Sequence, residues 1–357
     1  MREIDTLILG QGLAGSLLAE RLLRQEIDLL VLDDGWQSAA STAAAGLINP
    51  ITGQRLVKTA DLEVLLPAAL AHYRQLQQRF GQPLHHPRPM LRLLRQPQQQ
   101  AQLEMRRQDP AYSPWLGPLL AARDIPASIK APHGAFEQFH AGFVDLPLLL
   151  QGIRQELLER GRLRQGRIDF EQIRLTPSGV EIGDLRARRL IFCEGYRVSA
   201  NPWFKALPFQ PAKGEILSLE LPNCGLEQII SGSHWLIPLQ GNRYRLGSNY
   251  DHAHLDQTPS EAIKQALLAG LSDLLHRPGP VQLLQHLAGV RPALRGAQPV
   301  MGPHPRYAQL HLFNGFGSKG SLLVPWHAQA YADYLSGKGQ IPPNADIRRF
   351  HDLLLTH

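Results

Sequence analysis

Residues Ile4 to Leu9 read as a buried parallel strand that runs straight into Gly10, Gly12 and Gly15, followed by Leu17, Leu18, Arg21 and Leu22 at helical spacing. Strand, glycine turn and helix in this order leave the N-terminus few alternatives. Gly10 permits the tight turn, Gly12 lets the backbone approach a pyrophosphate, and Gly15 lets the helix pack closely on the strand. The helix start offers unpaired N–H groups to phosphates. A second strand, Leu29 to Leu32, ends in Asp33 and Asp34, near the offset of roughly 20 residues at which an acid holds ribose hydroxyls. Gly10, Gly12, Leu13, Ala14 and Gly15 are therefore expected at the phosphates of a dinucleotide, with Asp33, and Asp34 beside it, at its ribose. An acid here fits FAD or NAD and argues against NADP, whose extra phosphate it would repel.

The run Ser41-Thr42-Ala43-Ala44-Ala45-Gly46-Leu47-Ile48-Asn49-Pro50 is small, hydroxylated and glycine-containing, suited to backbone alongside a cofactor, and an ordinary NAD domain does not need it. It resembles the flavin-contacting segment of the D-amino-acid oxidase superfamily, especially its glycine-oxidase-like members. Three further stretches follow in that family's order. Arg189 to Gly195 resembles the mid-chain strand and glycine that return to the dinucleotide domain, and Pro211 to Leu217 the start of the substrate-domain sheet. Gly289-Val290-Arg291-Pro292, Pro299 to Pro303 and Asn314 to Gly320 resemble the C-terminal signature. The resemblance implies non-covalent FAD contacted by Ser41, Thr42, Ala45, Gly46, Leu47, Ile173, Glu194, Gly195, Gly315, Phe316, Gly317, Ser318, Lys319 and Gly320, besides the N-terminal set. A second glycine turn before an apolar segment can aim helix N–H groups at the pyrimidine end of a flavin.

In this superfamily the flavin takes a hydride from the carbon next to an amine nitrogen, and protein groups position the substrate. Arg291 stands where the family binds the substrate carboxylate, and a guanidinium can clamp a carboxylate bidentately. Lys319 is expected beside the flavin, and Trp235 and Tyr250 on the pocket strands. Ser318 and Lys319 replace the arginine and asparagine of glycine-oxidase-like members. The Gly-Phe-Gly-Ser-Lys-Gly run instead resembles the flavin domain of MnmC-type tRNA-modifying enzymes, which act on a carboxymethylaminomethyl group at a wobble uridine. Lys213 and Glu215 read as structural, and Asp251, His252 and His254 as loop residues rather than a metal site.

The implied fold class is α/β (α+β): a Rossmann-type FAD-binding domain with an antiparallel-sheet substrate domain. The first is expected from residues 1–80, 140–205 and 285–357, the second from 81–139 and 206–284. Leu62 to Phe80 is expected as a packing helix closed by Gly81, Pro83 to Pro89 as turns, and Gln96 to Gln108 as an exposed helix. Asp145 before Leu146-Pro147 reads as one helix start. Thr258-Pro259-Ser260-Glu261 reads as another, with Thr258 as cap, Pro259 in the first turn and Glu261 completing a capping box.

Two cysteines, Cys193 and Cys224, indicate neither a disulfide framework nor a zinc site, and no apolar run is long enough to span a membrane. A cytoplasmic location follows as the expectation. The net charge of +6 comes mainly from arginines scattered along the chain. The function expected is hydride transfer to FAD from a primary or secondary amine bearing a carboxylate. The same chemistry on tRNA, or flavin binding without turnover, are the alternatives; no motif sets an oligomeric state.

Overall fold

The computed structural model describes residues 1–35, 39–222 and 224–356. Arg2–Leu9 (β1) lies between Leu29–Asp33 (β2) and Leu185–Phe192 (β3), parallel to both. Leu163–Gln165 adds a parallel strand beyond β2. The free edge of β3 is shared: its first half pairs with the hairpin strand Gly179–Ile182, and its last residues run parallel to Leu310–Asn314. Burial on both faces explains why β1 and β2 are so apolar. Alternation along the strands sends Ile8, Val31 and Ile191 to one face and Leu7, Leu9, Leu30, Leu32 and Phe192 to the other.

The first of these faces is covered by helices Leu13–Arg24 (α1), Leu62–Phe80 (α2), Leu146–Glu159 (α3) and the C-terminal Gly320–Leu335. Their starts and stops follow the local chemistry. Gly81 closes α2 at φ 66°, and Asp145 caps α3 by accepting the Leu148 N–H at 3.2 Å. Gln98–Gln108 is a helix that buries Leu103 alone, as its polar composition implies.

A second eight-stranded sheet has the order Gln282–Arg291, Ala212–Glu220, Arg243–Gly247, Trp235–Pro238, Ile229–Ser231, Met90–Leu93, Ala135–Gln138, Leu116–Leu120. Its neighbours are antiparallel except where Ile229–Ser231 runs parallel to Met90–Leu93. The strand Ala212–Glu220 is β4 and the edge strand Gln282–Arg291 is β5. Helix Glu261–Leu274 packs Leu267, Leu271 and Leu274 on this sheet's outer face.

Two expectations need correction. The proline-rich stretch contains a strand, His85–Pro87, paired with Gly142–Val144. It sits at the edge of a three-stranded sheet, where the missing N–H of Pro87 costs no ladder bond. The helix expected at Thr258 starts at Glu261, with Ser260 rather than Thr258 as its cap, its Oγ accepting the Ile263 N–H at 3.4 Å. Buried charges at β4 decide this: Lys213 Nζ donates to the Thr258 carbonyl at 2.6 Å, and Glu215 accepts the Ser260 N–H at 2.8 Å. Thr258 and Pro259 are thereby tied to the sheet before the helix begins.

A buried ionic cluster joins α1 to α2. Glu20 accepts from His72 Nε2 at 2.9 Å and from Arg79 at 3.0 Å. Burial alone would raise Glu20, but its His72 hydrogen bond and the nearby Arg21 and Arg79 charges hold it below the ordinary carboxylate value. Among the described residues no helix is long and apolar enough to cross a membrane.

Burial pushes His304 and His327 down to about 4 and His311 to about 3, so these rings are neutral in the folded chain. Their folded values lie below the ordinary 6.5, so the unfolded chain binds more protons as the medium acidifies. The stability involved is complete above about pH 6.5 and is lost as the pH falls toward the folded values, at up to about 1.4 kcal/mol per pH unit for each ring. The thermal midpoint is expected to drop by several degrees between about pH 7 and pH 5; a flat midpoint over that interval contradicts this reading.

Candidate cofactor and substrate site

The C-terminal ends of β1, β2 and β3 open into a cavity of about 930 Å³, near the top of the range of about 300–1,000 Å³ usual for small-molecule sites. The turn after β1 admits only glycine at two positions. Gly10 has φ 98°, and a Cβ on it would lie 2.6 Å from the Cys193 carbonyl oxygen; a Cβ on Gly15 would lie 1.9 Å from the Gly10 carbonyl oxygen. These contacts seat the start of α1 on the sheet, with Gly12, Leu13 and Ala14 in the cavity wall. Ser41 Oγ accepts the Leu13 N–H at 3.0 Å, and Ala14 and Gly15 have no carbonyl of the same helix within reach.

Asp33 ends β2 in the wall. Its carboxylate accepts the Gln11 N–H at 2.7 Å and the Gly35 N–H at 3.0 Å, leaving lone pairs for ribose hydroxyls. Asp34 also lines the cavity but is taken up by Arg197 at 2.5 Å. Glu194 accepts from Asn201 Nδ2 at 2.8 Å, and burial pushes its carboxyl up to about 7 against the pull of Asn201 and Arg197.

A second helix start enters the same cavity from the C-terminal end of the chain. Gly317–Lys319 forms one 3-10 turn and leads into Gly320–Leu335, where a Cβ on Gly320 would lie 3.3 Å from Leu13 Cδ2. Two positive helix ends thus adjoin. Between them and the second sheet runs the segment from Ala39 to Leu47, with Gly46 at φ 69° and pressed so closely on the Val144 carbonyl that a Cβ would lie 1.9 Å from its oxygen. Two helix ends for phosphate, an acid for ribose and a glycine-floored wall suit a dinucleotide.

The far half of the cavity is built by the second sheet. Arg291 ends β5 with its guanidinium over the Tyr250 ring, 4.3 Å from the centroid. It donates to Ser248 Oγ at 2.7 Å, to the Asn249 carbonyl at 3.2 Å and to the Lys213 carbonyl at 3.4 Å. Every one of these acceptors is neutral, and burial lowers its affinity for the proton. Gly214 makes room for it, since a Cβ there would lie 2.0 Å from Arg291 Nη2. Lys319 Nζ donates to Thr59 Oγ1 at 3.0 Å, and burial lowers its pKa.

Most of the residues expected from the sequence meet in this cavity, Trp235, Tyr250, Gly195, Phe316, Gly317 and Ser318 among them. Four lie outside its lining. Gly15 and Gly315 serve the turns behind it, and Thr42 returns its hydroxyl to the Ala39 carbonyl. Ile173 follows the turn Phe170–Gln172 into the apolar core with Phe192 and Val198, while Ile168 and Phe170 face the cavity. Asp251 pairs with His254 at 2.9 Å, whereas His252 turns to the Pro211 carbonyl, as loop residues would. Lys213 and Glu215 are buried in the cap of the Glu261 helix. Arg92, Arg95, Gln99 and Ser231 to His234 also line the cavity, beyond the residues expected from the sequence; an arginine inside the apolar run Met90 to Leu94 is the one signal of them there.

A parallel sheet with a glycine turn at its first strand, facing an antiparallel sheet across one elongated set of wall residues, defines a dinucleotide-dependent oxidoreductase fold. The model of the family described as FAD dependent oxidoreductase, DAO, matches residues 5–334, and the chain belongs to that family. It is 27% identical to a glycine oxidase of Pseudomonas aeruginosa over 188 residues, 51% of this chain and 49% of that one. It is also 24% identical over 363 residues to the tRNA 5-methylaminomethyl-2-thiouridine biosynthesis bifunctional protein MnmC of Marinobacter nauticus, covering 91% of this chain and 54% of that protein. The chain thus spans about half the length of these curated relatives. The crystal structure of glycine oxidase from Geobacillus kaustophilus superimposes with a TM-score of 0.85 over 97% of this chain and 98% of that one, at 20% identity.

Substituting Gly15→Ala drives a methyl group into the Gly10 carbonyl. The expected result is a loss of about 1–3 kcal/mol in urea unfolding, as for other overpacked sites, with at least a tenfold fall in flavin retained on purification. Undiminished flavin content in this variant contradicts the placement of the cofactor phosphates.

Proposed function

We propose that the chain oxidises the C–N bond of a primary or secondary amine bearing a carboxylate, with non-covalent FAD as its cofactor. Arg291 carries this reading: it is a half-buried guanidinium without a carboxylate partner among the described residues, preset by three oxygens in a cavity shared with the flavin-type turns. Bound FAD supplies the two-electron acceptor. The chain's own part is to bind and orient. Arg291 holds the substrate carboxylate, Tyr250 and Trp235 wall the pocket, and Lys319 places positive charge at the start of the C-terminal helix. Non-covalent binding is favoured because Cys193, the cysteine of the lining, is buried and its thiol is pushed up, which leaves it a poor nucleophile.

Residues 1–80, 140–205 and 285–357 are inferred to form the cofactor-binding unit, and 81–139 with 206–284 the substrate unit. The parallel strands around β1 fall in the former, and β5 crosses the boundary between them. Two unpaired cysteines favour a cytoplasmic setting. A second reading, the same chemistry on a wobble uridine of tRNA, is favoured by the relation to MnmC over 91% of the chain. It requires binding that weakens steeply with salt.

Anaerobic addition of glycine, sarcosine and D-amino acids to the purified protein is expected to bleach the flavin bands with at least one of them. Arg291→Ala is expected to retain FAD and lose about 2–4 kcal/mol in kcat/KM, roughly thirtyfold to a thousandfold, and Gly214→Ala to move in the same direction by displacing the guanidinium. A yellow protein that no amine reduces, or an Arg291→Ala variant as active as the parent, overturns the reading.

A further inference from the structure

The carboxylates of the cavity are confined to one half, where Arg167 and Arg197 also stand, the latter paired with Asp34. Among the described residues of its lining the carboxylates are Asp33, Asp34 and Glu194, all at the ends of β2 and β3. The opposite half holds Arg92, Arg95, Arg291 and Lys319, and none of these four has a carboxylate within ion-pair distance among the described residues. Arg92 donates to the carbonyls of Ile51 and Gly53, and the Arg95 guanidinium makes no hydrogen bond at all among the described residues. Lys213 and Arg189, buried outside this lining, are paired: Lys213 lies 2.7 Å from Asp256, and Arg189 lies 3.1 Å from Asp5. Burial has pushed Arg92 down to about 10 and lowered Arg291 and Lys319, with no acid at hand to offset it. For Arg92, Arg291 and Lys319 desolvation without a counterion is costly, and a ligand anion is the missing partner; Arg95 stands exposed at the mouth with its guanidinium free to turn to the same anion.

A single carboxylate on Arg291 leaves Arg92 uncompensated. Its position relative to Arg291 can be followed through shared neighbours. Arg92 lies opposite Ser231, Ser231 opposite Trp235, and Trp235 opposite Gly247, the residue before Ser248, whose Oγ accepts from Arg291. Two cationic poles therefore lie on one wall, separated by Ser231 and Trp235. Resting on the amine-oxidation reading above, we propose that the substrate carries a second anionic group on an arm, held by Arg95 in the field of Arg92 while Arg291 holds the first. This makes the site selective for dianionic amines over simple amino acids.

The test uses unreactive thioether analogues, in which sulfur replaces the amine nitrogen, so that binding is read without turnover. The flavin spectrum of the holoprotein is titrated with 4-(carboxymethylthio)butanoate and with (butylthio)acetate, which lacks the second carboxylate. The dianion is expected to bind at least tenfold more tightly, and Arg95→Gln is expected to bring the two dissociation constants within twofold of each other. Arg95 is exposed, so the substitution leaves the packing intact. Equal affinities in the parent protein, or a preference unchanged in Arg95→Gln, overturn the proposal. An anticodon stem-loop RNA that displaces (butylthio)acetate when the small dianion shows no preference assigns the outer cations to RNA and likewise overturns it. Failure of every amine to reduce the flavin is a separate result, and it bears on the amine-oxidation reading alone.

Discussion

The contact between Gly15 and the Gly10 carbonyl is the constraint on which the rest of the site depends. With any side chain at Gly15 the start of α1 would stand away from the end of β1, and the wall formed by Gly12 to Ala14 would move with it. Gly10 is pressed in turn on the Cys193 carbonyl, so the end of β3 and the following Glu194 and Gly195 are held to the same turn. The C-terminal helix packs against α1 at Gly320 and Leu13, which brings the second positive helix end to the first. One glycine-bounded junction thus sets the positions of three separated segments of chain.

The second sheet solves a different problem, the presentation of a half-buried cation to the cavity. Arg291 is held by backbone carbonyls and a hydroxyl rather than by acids, which fixes its direction while leaving its charge uncompensated. Lys213 and Glu215, one strand away on β4, have the opposite arrangement: they pair with Asp256 and His286 and cap the neighbouring helix. Two charge centres on adjacent strands therefore divide the work, one closed on itself for structure and one left open for a ligand.

The N-terminal unit was legible in the sequence because its steric demands are local: glycine where no Cβ fits, an apolar strand buried on both faces, and an acid at the end of the next strand. The turn Gly315 to Gly320 was legible through its glycines, of which Gly315 and Gly317 take positive φ. Thr258 was misread as a cap because the deciding contacts come from Lys213 and Glu215, more than forty positions away by the hydrogen bonds they make. Arg92 and Arg95 escaped notice because a cation at a cavity mouth has no spacing rule. Only the pairing of Met90–Leu93 with Ile229–Ser231 brings them beside His234 and Trp235.

Acid precipitation of the purified protein, followed by identification of the flavin left in solution, tests the central claim most directly. The account predicts FAD, released in an amount equimolar with the chain and leaving the precipitate colourless. A chain that releases no flavin and takes up no added FAD contradicts the account at its root, and flavin retained on the precipitated chain contradicts non-covalent binding.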